Sequence, residues 1–400
     1  MIRFIFHPLK ISNANYHIQC LKKIILLPPL NYTTLKLGVL KETKSNEYRV
    51  ALSPNAVKAL IGKGFSCFIE SGSGLASSFS DEEYVEGGAQ ILKDSAAVFS
   101  SADVLLKINP PDSTEISHLS AGKTWISILQ HRIQPEMIEA MASKGITAYS
   151  MDAIPRISRA QSMDVLSSQS NLAGYKAVIL GANEMPKIFP MLMTAAGTVK
   201  PARVLIFGVG VAGLQAIATA KRLGAIVEAT DVRMETKEQA ESLGAKFISV
   251  EAEGVNTAGG YATEVSEDYL KRQKEAVNKS LASADLVITT ALVQGKKAPV
   301  LITEEQVKMM KIGAVIIDMA VEQGGNCALS EPGKSVHVNG VKIVGPINLA
   351  GSLANNASEL YARNLVTYLT HIAKPEGFTL DLADEIVKDT LIIRDGQVQV

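Results

Sequence analysis

From Lys36 onward, short apolar runs alternate with longer segments whose apolar positions recur at helical spacing. Leu37–Leu40, Ser66–Glu70, Asp103–Lys107, Thr124–Leu129 and Ile146–Ser150 are predicted as strands. Ser53 followed by Pro54 marks a helix start, with serine as N-cap and proline in the first turn. Leu166–Leu180 is predicted as a connecting helix. The alternation then resumes with strands at Val204–Phe207, Ala225–Asp231, Phe247–Val250, Leu286–Thr290, Ala314–Asp318 and Val341–Val344, and a helix from about Ser358 to Ile372. This pattern predicts an α/β chain of two Rossmann-like, doubly wound domains with a cleft between them. The first spans 36–165 and is completed by 355–400, while 166–354 forms the second. The cleft is the expected ligand site.

One junction is chemically explicit. The run Val204-Leu-Ile-Phe feeds into Gly208-Val-Gly210-Val211-Ala212-Gly213, and a helical segment follows from Leu214. In such a turn Gly208 permits the bend, Gly210 lets backbone N–H groups approach a pyrophosphate, and Gly213 lets helix and strand pack closely. The helix N-terminus adds a positive dipole end. Asp231 ends the next strand, where a carboxylate would accept from a ribose 2′-hydroxyl and repel a 2′-phosphate; this favours NAD over NADP. Val232 and Arg233 follow, and Arg233 is read as a solvated loop arginine that could alternatively meet a phosphate.

Composition narrows the field. Forty basic and forty acidic residues cancel, which gives no pull toward nucleic acid. Three widely spaced cysteines fit a reducing compartment better than a disulfide scaffold. No run approaches the roughly eighteen apolar residues that cross a bilayer. Residues 1–35 contain no acid and scattered Arg3, Lys10, Lys22 and Lys23; they are read as a leader outside the fold, with a targeting presequence as the alternative. Gly122-Lys123-Thr124 lacks the leading glycine of a phosphate loop, and the six histidines show no metal spacing, so no metal is expected.

Two loops remain. Glu251–Glu264 is polar and glycine-bearing, either a surface loop or a lid that closes Tyr261 over nucleotide. Ile154–Ser168 gathers Arg156, Arg159, Gln161, Asp164 and Ser167 between a strand and a helix, with Ser162 or Asp164 as N-cap. Its amide and carboxylate suit a nicotinamide carboxamide or ribose hydroxyls.

These residues resemble the soluble NAD(H)-binding component of proton-translocating NAD(P) transhydrogenases, the alpha-1 type subunit. The resemblance runs from about Lys36 to the C-terminus. It covers Lys41–Ala51, the whole Arg156–Ser167 loop, Met193–Val199, the glycine turn, Thr230–Arg233, Thr289–Leu292 and Gly324-Gly-Asn-Cys327. It implies that Arg156, Gln161, Asp164 and Ser167 hold the nicotinamide and its ribose, with Gln161 bridging toward the partner's nucleotide. It further implies NAD(H) contacts from Asp231, Tyr261 and Thr290-Ala291-Leu292. The partners implied are an NADP(H)-binding beta subunit and a membrane-spanning subunit. The chain itself would form a homodimer on the cytoplasmic face of the inner membrane. One segment departs from the family pattern: Asn348-Leu-Ala350-Gly-Ser352-Leu lacks the proline and arginine often found there.

Alanine dehydrogenase, a related family, is the rival. Arg49 and Lys107 match the cations that hold pyruvate in that family, but its acid/base histidine falls on Gln130. If the strand ran on, His131 would face the opposite way. Amine oxidation needs a general base, whereas hydride exchange between two nicotinamides needs only two rings held close together. The pattern therefore favours transhydrogenation. A non-catalytic NAD-binding subunit is the third reading.

Overall fold

The computed structural model describes residues 34–250, 267–292 and 296–399. Tyr261 and nearly all of the expected leader lie outside the described residues.

Two sheets carry the fold. The first contains Lys36–Val39, Ser66–Glu70, Gln90–Leu92, Val104–Leu106, Thr124–Ser127 and Thr147–Ser150 in parallel, with Leu391–Arg394 and Gln397–Val398 added antiparallel at one edge. The second contains Arg203–Phe207, Ile226–Thr230, Lys246–Phe247, Leu286–Thr289, Val315–Asp318 and Val341–Val344 in parallel, edged by antiparallel Ser335–Val338. Counting parallel strands along the chain, both sheets read 3-2-1-4-5-6. This doubly wound order opens a crevice at the carboxyl ends of strands 1 and 4. The central strands are buried throughout, as helices on both faces require.

Local signals set the elements. Ser53 accepts from the Ala56 N–H and Pro54 opens the helix Pro54–Gly62, as expected. The connecting helix runs longer than its apolar spacing suggests, Val165–Glu184. It lies against the helix Val211–Arg222 so closely that a Cβ on Gly174 would stand 2.2 Å from the Ala212 carbonyl oxygen. The helix Ala354–Ile372 starts earlier than expected and packs on both the connecting helix and Pro54–Gly62.

Three expectations need correction. The strand at Phe247 ends there rather than at Val250. The antiparallel edge strands and the hairpin Leu192–Thr194/Gly197–Val199 add to the predicted elements. The strand Thr124–Ser127 stops before Gln130. The Asp152 carboxylate takes the N–H groups of Leu129 and Gln130, at 3.1 and 3.4 Å, and Gln130 adopts φ +51°. Strand parity therefore says nothing about His131, which sits in a turn with Nδ1 buried and no hydrogen-bond partner among the described residues.

Candidate functional site

The glycine turn occupies the crevice of the second sheet. Gly208 has φ +92°, and a Cβ on Gly213 would fall 1.9 Å from the Gly208 oxygen. Strand and helix can meet this closely only with glycine there. Among the described residues, nothing lies within 4 Å of the position a Gly210 side chain would take, and no side chain caps the helix Val211–Arg222. Its first-turn N–H groups thus have no side-chain cap among the described residues and carry the positive end of the helix dipole, an end suited to phosphate. Val211 is exposed and Ala212 half-buried beside it.

Asp231 sits one strand over. Its Oδ2 accepts from the Val209 N–H at 2.7 Å, tying the carboxylate to the turn. Arg233 is more than a solvated loop residue. Its backbone N, Nε and Nη2 bind the same carboxylate at 2.8, 3.1 and 3.0 Å. Burial alone would raise the Asp231 pKa, but these hydrogen bonds outweigh it and hold the carboxyl below its usual range. Val232 is almost fully exposed.

The opposite wall follows the strand Leu286–Thr289. Thr290 Oγ1 donates toward the carbonyls of Phe207 and Gly208, 3.3 and 3.1 Å away, so this segment abuts the turn. Ala291 is half-buried and Leu292 exposed.

The loop Ile154–Ser168 caps the connecting helix. Asp164 is the N-cap: its Oδ1 accepts from the Ser167 N–H at 2.9 Å, and its Oδ2 from Ser167 Oγ at 2.6 Å. These two residues are brought together, whereas Arg156 and Gln161 stand exposed on the preceding stretch. Three ties fix the loop from behind. Asn364 donates to the Ser162 carbonyl at 2.8 Å, Arg159 pairs with Asp384 at 2.6 Å, and Gln169 bridges Arg49 Nη1 and the Ala357 carbonyl. Asn364, Gln169 and Asp384 carried no signal in the sequence, because their partners are distant along the chain.

Arg49 and Lys107 lie in the crevice of the first sheet. Arg49 is gripped by Glu47 at 2.6 Å and Lys107 by Glu115 at 2.7 Å, with Glu42 3.9 Å away. Lys107 is fully buried. Burial would raise the Glu47 pKa, but Arg49 brings it down to about 2. Burial raises Glu42 and Glu115 despite Lys107. In the departing segment, Asn348 makes its own turn: Oδ1 accepts from the Gly351 N–H and Nδ2 donates to the Asn46 carbonyl. It links the two halves of the chain without the missing proline and arginine.

Comparison with known proteins fits this architecture. Residues 38–173 match the family model "Alanine dehydrogenase/PNT, N-terminal domain", and residues 177–400 match its C-terminal counterpart. The chain is 53% identical over 374 residues to the first portion of the NAD(P) transhydrogenase subunit alpha of Rhodospirillum rubrum, covering 91% of this chain and 97% of that protein. A solved transhydrogenase from Sinorhizobium meliloti superposes with a TM-score of 0.84 at 47% identity, covering 91% of this chain and 99% of the other. The alanine dehydrogenase of Methanococcus maripaludis is 30% identical over 347 residues, covering 84% of this chain and 87% of that enzyme. With both halves matched and identity far higher on the transhydrogenase side, the chain belongs to the alanine dehydrogenase/PNT family, within its NAD(P) transhydrogenase alpha-subunit branch.

Proposed function

We propose that this chain binds NADH and passes its hydride directly to NADP⁺ held by a partner subunit, in a complex that couples the exchange to proton movement across a membrane. The observation that carries this reading is the asymmetry of the loop Ile154–Ser168: Asp164 and Ser167 are locked to each other, while Arg156 and Gln161 face outward. A locked pair can orient a nicotinamide ribose. An exposed amide beside it can reach toward a second nucleotide brought by another molecule. NADH would lie along Gly208–Gly213, with its pyrophosphate on the uncapped helix end, its adenosine ribose on Asp231 and Thr290–Leu292 at its side.

The reaction, NADH plus NADP⁺ giving NAD⁺ plus NADPH, exchanges no proton at the reacting carbons. The site needs orientation rather than a base. Arg49 and Lys107 are already neutralised by internal carboxylates, so a small oxo acid would have to displace Glu47 or Glu115 to bind them. This weighs against amino-acid oxidation.

No helix among the described residues is long and apolar enough to cross a membrane, so attachment would come through the partner subunits. The hairpin Leu192–Thr194/Gly197–Val199 is exposed along its whole length, with Met193 76% accessible. An isolated two-stranded hairpin is marginal in water, and a second copy of this chain is the proposed cover.

The test is threefold. The purified chain should bind NADH, show no alanine-dependent NAD⁺ reduction, and gain hydride transfer only when an NADP-binding partner is added. Alanine-dependent reduction would favour the rival enzyme, and no gain with the partner would favour a non-catalytic subunit.

A further inference from the structure

Behind the crevice of the second sheet lies a polar core that phosphate and ribose contacts leave unexplained. Asp318, at the end of its strand, is fully buried. Its carboxylate accepts from Thr289 Oγ1, Ser330 Oγ and the backbone N–H groups of Ala320, Asn326 and Cys327, at 2.5–3.1 Å. This immobilises Asn326, itself fully buried. The Asn326 amide then uses all three of its polar hands. Oδ1 accepts from the Ala291 N–H at 3.0 Å, and Nδ2 donates to the Ala291 carbonyl at 2.9 Å and the Pro299 carbonyl at 2.8 Å. Its own carbonyl accepts from the Leu301 and Ile302 N–H groups at 2.7 and 3.0 Å.

One side chain therefore fixes both polar groups of Ala291, the residue next to Thr290 and its contacts with Gly208. Only an amide offers an acceptor and two donors in this geometry. A carboxylate would set one of its oxygens against the Ala291 and Pro299 carbonyls, and an apolar residue would leave three polar groups without this partner. The glycine turn has backbone geometry of its own, but the facing wall depends on this amide.

We infer that Asn326, held by Asp318, is a positioning residue for NADH: it sets the Ala291 peptide that forms one wall of the dinucleotide crevice. This inference rests on the dinucleotide reading above. It adds a residue two steps from the nucleotide that governs affinity rather than the hydride step.

The test is a fluorescence titration of NADH with the full chain alone, alongside the melting temperature of each sample. Asn326→Asp and Asn326→Ala are expected to weaken NADH binding about tenfold, the loss of roughly one well-made buried hydrogen-bond set. Asn326→Ser, which keeps one hydroxyl and is the mildest to fold, should lose several-fold. The control is Lys187→Met, which breaks the 2.9 Å pair with Asp285, the residue just before the strand Leu286–Thr289 and so at the far end from Ala291. It should lower the melting temperature while leaving NADH affinity within about twofold. With the partner subunit added, turnover of the Asn326 variants at saturating NADH should return to near wild type, so the defect appears in KM and not in kcat. The inference is overturned if the folded Asn326 variants bind NADH as wild type does, or if Lys187→Met weakens binding equally. Failure of the wild-type chain to bind NADH would instead remove the dinucleotide reading, and this inference with it.

Discussion

The two sheets share one strand order, yet their crevices have opposite contents. In the second sheet, the ends of strands 1 and 4 present Gly208 and Thr290, backbone groups, and, among the described residues, open space around Gly210. In the first sheet, the equivalent ends carry Glu42 and Lys107. There the Glu42 carboxylate accepts from the Ile108 N–H at 2.6 Å and from the Asn109 side chain at 3.0 Å. An anion belonging to the chain itself occupies the place where a ligand's anion could sit. Glu47, Arg49 and Glu115 complete the filling. Topology makes a crevice, and the side chains decide whether it binds anything. The first half contributes to the proposed chemistry elsewhere, through the loop that follows its sixth strand.

The division of labour breaks most visibly at that loop. Asp164→Ala removes both contacts to Ser167, and Gln161→Ala removes the outward amide. Each is expected to cost a hundredfold or more in hydride transfer with the partner present, since misplacement by about an ångström has that effect. NADH affinity should fall far less. If binding and turnover both stay at wild-type levels, the loop assignment fails.

The open crevice is next. Gly213→Val places carbon against the Gly208 oxygen, which should spread the turn and remove the proposed backbone contacts to phosphate. About two charge-assisted hydrogen bonds are at stake, so NADH binding should weaken on the order of a hundredfold. Isothermal calorimetry with NADH, beside a circular dichroism spectrum to show that the chain is folded, measures it.

The filled crevice should respond in stability instead. Glu47→Gln leaves Arg49 buried without its counter-charge, at a cost of about 3 kcal/mol near pH 7. NADH affinity should remain within about twofold. The pH dependence has a definite sign. Folding holds the Glu47 pKa at about 2, below its ordinary 4.5, so its contribution is present above pH 4.5 and lost as pH falls toward 2. Urea melts should therefore show the gap between wild type and variant closing over that window. A gap that persists at pH 2.5 would mean the pair is not what stabilises this region.

This contrast also explains what the sequence revealed. The Ser53-Pro54 helix start, a helix N-cap at Ser162 or Asp164 and the glycine turn are legible because their physics is local, within a few residues. The filled crevice is not: the resemblance marks Arg49 as a possible ligand cation, but nothing local shows that Glu47, two residues away, already occupies it. The strand Leu391–Arg394 joins the sheet beside Tyr149, which lies far back along the chain, and no periodicity announces such a partner. Strand parity misleads at His131 because a side-chain contact from Asp152 ends the strand early. Asn326 is visible as one residue of a motif, but its reach to Ala291 and Pro299 is not.

The smallest effect is expected where the open crevice borrows the device of the filled one. Arg233 grips Asp231 as Arg49 grips Glu47, but the Arg233 side chain is half exposed, at 52%. Water screens such a pair to between zero and about 1 kcal/mol. Arg233→Ala should therefore change NADH affinity by no more than about threefold. Its sharper signature is in pH. In its proposed role Asp231 would accept the ribose hydroxyl best as a carboxylate, and Arg233 is a main cause of its lowered pKa. Without that guanidinium the pKa rises, and the acid limb of NADH binding should move to higher pH. Discrimination against NADPH should tighten slightly as well, because the cation paired with Asp231, where a 2′-phosphate would be expected, is gone. If affinity falls tenfold or more with no movement of the acid limb, Arg233 touches the nucleotide directly rather than through Asp231.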